Sequence, residues 1–107
     1  MTEQDARDFL SALGSEIKAW RQRRGLSRGE LAALVDVSET TIGRIERGGA
    51  QGAVATTDVW RIASALGLSF SDLVRRAEEV AALSDESFTL HAVAQEGGIE
   101  QPGEFNE

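Results

Sequence analysis

Apolar residues along this chain recur at three- and four-residue steps, the period of an amphipathic helix. Phe9, Leu10, Leu13, Ile17 and Trp20 make the first stripe. Thr2, with Asp5 three residues on, predicts a capped start, and Gly25 an end. Gly14 falls mid-stripe, where glycine costs about 1 kcal/mol relative to alanine. The expectation is a bend or restart there. Ser27 with Glu30 reads as a capping box for a second helix through Leu31, Ala32, Leu34 and Val35. A short turn at Asp36-Val37 leads to Ser38, the cap of a third helix. Ile42 and Ile45 face inward in it, and Arg47-Gly48 closes it. Small residues follow, Gly48, Gly49 and Gly52 among them. Thr56 or Thr57 opens a fourth helix with the stripe Val59, Ile62, Ala63 and Leu66, and Gly67 ends it. Ser69, with Asp72 at the box position, opens a fifth helix carrying Phe70, Leu73, Val74, Ala77 and Val80.

Beyond residue 83 the helical period fades. Phe88, Leu90 and Ala92 alternate with Thr89, His91 and Val93, the pattern of a short strand at 87–93. The expected organisation is one all-α domain over 1–83, with its core at 13–75, and an acidic C-terminal tail over 84–107.

Charge sharpens the division. The 107 residues carry a net charge of -7. Residues 1–13 contribute -2, residues 14–80 contribute +1, and residues 81–107 contribute -6 with no basic side chain. Over 18–47 the balance is +3, from Lys18, Arg21, Arg23, Arg24, Arg28, Arg44 and Arg47 against four acids. Acidity therefore collects at the end of the chain, and basic residues gather around the third helix. Cysteine is absent and His91 is the single histidine, which argues against disulfides, thiolate chemistry and a metal site. No run approaches the ~18 apolar residues of a membrane span. The N-terminal MTEQDARDF has neither the charge nor the apolar block of a secretory signal. A cytoplasmic protein without membrane contact is expected. GGAQGA lacks the Lys-Ser/Thr of a phosphate loop, and no nucleophile–base set is visible. Neither enzyme activity nor a cofactor is expected.

Two short capped helices joined by a tight turn, preceded by another helix, form the plan of a helix-turn-helix. LGSEIKAWRQRRGLSRGELAALVDVSETTIGRIERG resembles the Xre/Cro-type, lambda repressor-like helix-turn-helix family of phage and bacterial repressors. VWRIASALGLSFSDL resembles its fourth and fifth helices. Together the likeness covers about 13–75.

In such a domain the second helix of the pair enters the major groove and its first side chains touch base edges. Here that helix is 38–47, and Glu39, Thr40, Gly43 and Arg44 point outward. Arg44 suits a guanine O6/N7 pair, Thr40 a base or a thymine methyl, and Glu39 a cytosine amino group. Glu39 reads equally well as a solvated residue. The resemblance makes Arg28 a backbone-contact position. Ser38, Thr41 and Arg47 flank the reading helix as further phosphate contacts. Arg23 and Arg24 read mainly as structural residues complementing a helix C-terminus. The resemblance also implies an ion pair between Arg21 and Glu46. Trp20 reads as core, whereas Trp60 lies off its helix's stripe. Family members often carry Lys or Arg in the loop after the third helix. Residues 48–58 have none, so modest affinity with a shallow salt dependence is expected.

One such helix reads only a few base pairs, so a homodimer on a two-fold site is expected. Candidate dimer residues are Phe70, Leu73, Val74, Ala77, Val80 and Leu83. They compete with a role in the domain's own core. The reading is a DNA-binding transcriptional regulator, a repressor of double-stranded operator DNA. Two alternatives stay open: an antitoxin-type regulator whose acidic tail binds a protein partner, and an interaction module that has lost DNA binding. For the tail alone, inert solubilising polymer and a fold-back over Arg28 and Arg44 are also open.

Overall fold

The computed structural model describes residues 1–49 and 54–83. The expected strand at 87–93 and the tail lie outside them, as does part of the glycine-rich loop. Five α-helices form the described residues: α1 (Glu3–Arg23), α2 (Arg28–Val35), α3 (Glu39–Glu46), α4 (Thr56–Ala65) and α5 (Phe70–Leu83).

Local chemistry sets most of the boundaries. The Thr2 hydroxyl accepts from the Asp5 N–H, while the Asp5 carboxylate accepts from the Thr2 N–H. Ser27 and Glu30 make the same reciprocal pair at α2. Two orphan donors are thereby satisfied at each start. Ser38 and Ser69 cap α3 and α5 through Thr41 N–H and Asp72 N–H. α4 departs from expectation: Thr56 is its first residue, the cap position is Ala55, and no side chain caps it. Asp36 ends α2 at φ 60, ψ 46, the left-handed conformation that closes a helix. That turn aims the chain directly into α3.

The core is one cluster from all five helices, in which Ile17, Leu31, Ile42, Ile45, Ile62, Leu66 and Leu73 are fully buried. α1 packs most extensively along α5 and also crosses α3. Gly14 explains that crossing and corrects the expected bend. α1 runs unbroken through Gly14, which is buried against the end of α3. A Cβ there would stand 2.4 Å from the Ile45 carbonyl oxygen and 2.5 Å from that of Glu46. The glycine is where two backbones touch.

The apolar stripes hold with instructive exceptions. Leu34 and Trp60 are 63% and 60% exposed and border one shallow recess with Asp36, Arg61 and Ser64. Of the candidate dimer residues, Leu73 and Ala77 are fully buried in the chain's own core, which withdraws them from any surface open to a second copy. Phe70 packs on that core, and Val74 is half-buried. Val80 and Leu83 are exposed. Trp20 also corrects its reading: it packs on the core but is only half-buried, with three guanidinium groups around its ring. Among the described residues no helix is long and apolar enough to cross a membrane.

Candidate nucleic-acid interface

The start of α3 is exposed at Ser38, Glu39 and Thr40, while Ile42 and Ile45 anchor its other face in the core. The short helix is thus held from behind and presents its first turn to solvent. Ser38 Oγ accepts from the Thr41 N–H and also lies 2.8 Å from Thr41 Oγ1. Two hydroxyls that share one hydrogen bond leave one hydroxyl hydrogen between them. It is free to donate to an anion at the helix start, where the dipole favours negative charge.

Arg28, Glu39, Thr40, Gly43 and Arg47 line one polar recess of about 300 Å³. It collects residues from the start of α2 and the whole length of α3. Gly43, expected to point outward, is buried, and it is arginine that covers it. A Cβ on Gly43 would lie 3.1 Å from Arg47 Nη1 and 3.9 Å from Arg28 Cδ. The lack of a side chain here lets both arginines lie flat across the helix. Glu39 leans towards α2: a Cβ on Gly29 would be 3.3 Å from Glu39 Oε1. The first turn of α2 carries positive dipole charge, so the carboxylate has a favourable resting place away from any base. Arg44 is half-buried on the same helix. Thr41 is half-buried beneath the Ser38 cap. Arg47 also borders a second polar recess with Gln4, Arg7, Ser11 and Gly49.

Behind the exposed turn stands a buried ion pair. Arg21 Nε donates to Glu46 Oε2 at 2.6 Å and Arg21 Nη2 to Glu46 Oε1 at 3.2 Å. The two side chains are only 8% and 3% exposed. Arg21 Nη1 also donates to the Leu26 carbonyl at 2.8 Å. Such bidentate geometry is what offsets the desolvation of a buried pair. The sequence did not suggest the third partner: Arg28 Nε donates to Glu46 Oε1 at 3.3 Å. One carboxylate therefore ties α1, α2 and α3 together. Arg21 already neutralises it, so Arg28 keeps its charge for the surface, where its side chain is 45% exposed. Gly14 and Gly43, which the sequence reading treated as a helix weakness and an outward position, are the other contributors. A glycine at the crossing of two helices has no local signature.

Arg24, read as structural, caps a different helix. Its Nε donates to the Leu66 carbonyl at the end of α4, 2.8 Å away. No group of three or more His, Cys, Asp or Glu side chains arranged to hold a metal occurs among the described residues.

Comparison with known proteins agrees with this architecture. The helix-turn-helix family HTH_3 matches residues 17–73. The HTH-type transcriptional regulator SutR of Escherichia coli K12 is 39% identical over 62 residues, which are 58% of this chain and 34% of SutR. The chain thus spans about a third of that relative's length. The clp gene regulator ClgR of Corynebacterium glutamicum superposes with a TM-score of 0.67 at 26% identity, over 86% of this chain and 96% of that one. An HTH_3 family transcriptional regulator from Vibrio cholerae gives 0.58 at 34% identity, over 71% of this chain and 41% of that one. Fold, capped helix pair and buried Arg21–Glu46 geometry lead to one conclusion: this chain belongs to the HTH_3 family of lambda repressor-like helix-turn-helix proteins.

Proposed function

We propose that the chain is a sequence-specific DNA-binding transcriptional regulator, a repressor that binds a two-fold operator as a dimer. The observation that carries this reading is the convergence of Arg28, Arg47 and Thr40 on the exposed side of α3, around a helix start that favours an anion. α3 enters the major groove. Arg44 pairs with guanine O6 and N7, Thr40 meets a base edge, and Glu39 leaves its place beside Gly29 where a cytosine amino group rewards it. Arg28, Arg47 and the shared hydroxyl hydrogen of Ser38 and Thr41 grip phosphates. The net charge of -7 belongs largely to 81–107 and not to this face. A second copy places another α3 about 34 Å away on the same side of the duplex. Val80 and Leu83 are the exposed apolar residues of α5 that such a pairing would use.

The test is fluorescence anisotropy with DNA flanking the protein's own gene, across a salt series. Arg44→Ala should abolish preference for that fragment over random DNA while sparing weak binding to both. Arg47→Ala should weaken both equally and flatten the salt slope by about 0.9. Absence of binding by the wild type at low salt would overturn the reading.

A further inference from the structure

We propose that the guanidinium cluster around Trp20 is the docking site of the acidic segment 84–107 of the same chain. Arg23, Arg24 and Arg76 place their guanidinium carbons 4.3, 5.2 and 5.2 Å from the centre of the Trp20 ring. Each contact is attractive on its own, through the negative face of the ring. Gathering three like charges on one ring is repulsive unless an anion joins them. The cluster lacks that anion among the described residues. Arg7, Arg21, Arg28, Arg61 and Arg75 each have a carboxylate partner. Arg23 and Arg76 have none, and Arg24 is bound to a backbone carbonyl. Arg76 Nε is moreover buried without an acceptor, a condition that native proteins rarely leave unanswered.

The cluster is built from α1 and α5, with Arg24 reaching the end of α4, and it shares no residue with the α2–α3 recess. A DNA contact is not its natural use.

The occupant follows from charge and reach. Residues 84–107 carry Asp85, Glu86, Glu96, Glu100, Glu104 and Glu107 and no basic residue. The segment begins one position after Leu83, the last residue of α5. Arg76 lies seven residues back, about 10 Å along the helix axis. Twenty-four residues can span up to about 80 Å, so the return needs a small part of the chain. The nearer groove between α1 and α5 does not compete. Asp5, Asp8 and Glu78 line it beside Met1 and Phe9, and their charges repel an acidic segment.

Trp20 reports on the site directly. Trp60→Phe leaves it as the single tryptophan and alters only an exposed side chain. In that full-length background, quenching of Trp20 by iodide at constant ionic strength measures anion access to the cluster. The comparison is with the same chain carrying Asp85→Asn and Glu→Gln at 86, 96, 100, 104 and 107. Neutralising the six acids should raise the iodide quenching constant about twofold, the effect of about one unit charge near 10 Å in water. Quenching by neutral acrylamide should change less. Arg23→Gln with Arg76→Gln should erase the difference between the two tails. Equal iodide constants for the two tails would overturn the proposal. So would protection that grows with protein concentration, which assigns the cluster to a second copy. Protection that appears only on adding duplex DNA would overturn it too, and would assign the cluster to the phosphate backbone.

Discussion

Replacing Gly14 with alanine separates two opposite accounts of that residue. An ordinary glycine inside a helix weakens it, and alanine would then add about 1 kcal/mol of stability. The structure predicts the reverse. The new Cβ would lie 2.4, 2.5 and 2.8 Å from the Ile45 oxygen, the Glu46 oxygen and the Glu46 carbonyl carbon. All three are backbone atoms, so no side-chain rotation relieves the clash, and α3 must move away from α1. Overpacking of a well-filled site costs about 1–3 kcal/mol. Three backbone contacts this short place Gly14 at the upper end. Subtracting the propensity gain leaves a net loss of about 2 kcal/mol, or roughly 8–16 °C in melting temperature for a domain of this size. Thermal unfolding followed by circular dichroism reads this directly. Gly29→Ala is the control, because its Cβ would meet only the flexible end of Glu39 at 3.3 Å. It should raise stability, by up to about 1 kcal/mol, as expected for an ordinary helical glycine. A Gly14→Ala protein that melts at or above the wild-type temperature would refute the close-contact argument. It would also remove the explanation for how α3 is seated.

Three further outcomes follow from the same geometry. Glu46→Ala leaves Arg21 buried without its counter-charge and should destabilise by about 3 kcal/mol or more, whereas Arg21→Met with Glu46→Leu should recover most of that loss; denaturant titration of the wild type and the two variants decides, and equal losses in both would count against it. Asp36→Gly should stabilise by about 0.5 kcal/mol, because glycine adopts the left-handed turn without strain; Asp36→Val should do the opposite, and a shift of the same sign in both would contradict the role given to that turn. The backbone and side-chain hydrogen bonds from Thr2 hold the Asp5 carboxyl below its ordinary value of 3.8. A depressed carboxyl stabilises the fold above its unfolded value and loses that contribution as pH falls through the folded one. Fraying of the first turn of α1, seen in amide exchange at Thr2 and Asp5, should therefore grow as pH drops below about 3.8 in the wild type, and should be pH-independent in Asp5→Ala.

Much of the fold was legible because its signals are local. Caps at Thr2, Ser27, Ser38 and Ser69 and stops at Gly25 and Gly67 lie within three residues of what they control. The stripes placed Ile17, Leu31, Ile42, Ile45, Ile62 and Leu66 inside. Tertiary placement was harder to read. Leu34 has the right period but borders the shallow recess between α2 and α4 and is left exposed. Leu73 and Ala77 looked available for a partner because nothing in α5 alone reveals that α1 covers them. For the candidate interface, periodicity exposed Glu39 and Thr40. It could not foresee that Gly43 would lie under Arg28 and Arg47. Nor did spacing disclose the third arginine on Glu46, since Arg28 reaches it from a different helix 18 residues away.

The pairing of α1 with α5 has a consequence for how the chain is made. α2, the turn at Asp36 and α3 are neighbours in sequence, and contacts of short separation close quickly. Their mount is not local. α1 emerges before α2 and α3 but finds its largest partner in α5, the most C-terminal of the five described helices. Until residue 83 has left the ribosome, the apolar stripe of α1 has only the crossing at Gly14 and the core side of α3 to bury it. The α2–α3 pair is then shaped before it is fixed in direction. A nascent chain stalled inside α5 would carry a formed helix pair on an unsettled base, and α5 acts as the late fastener that makes the unit whole.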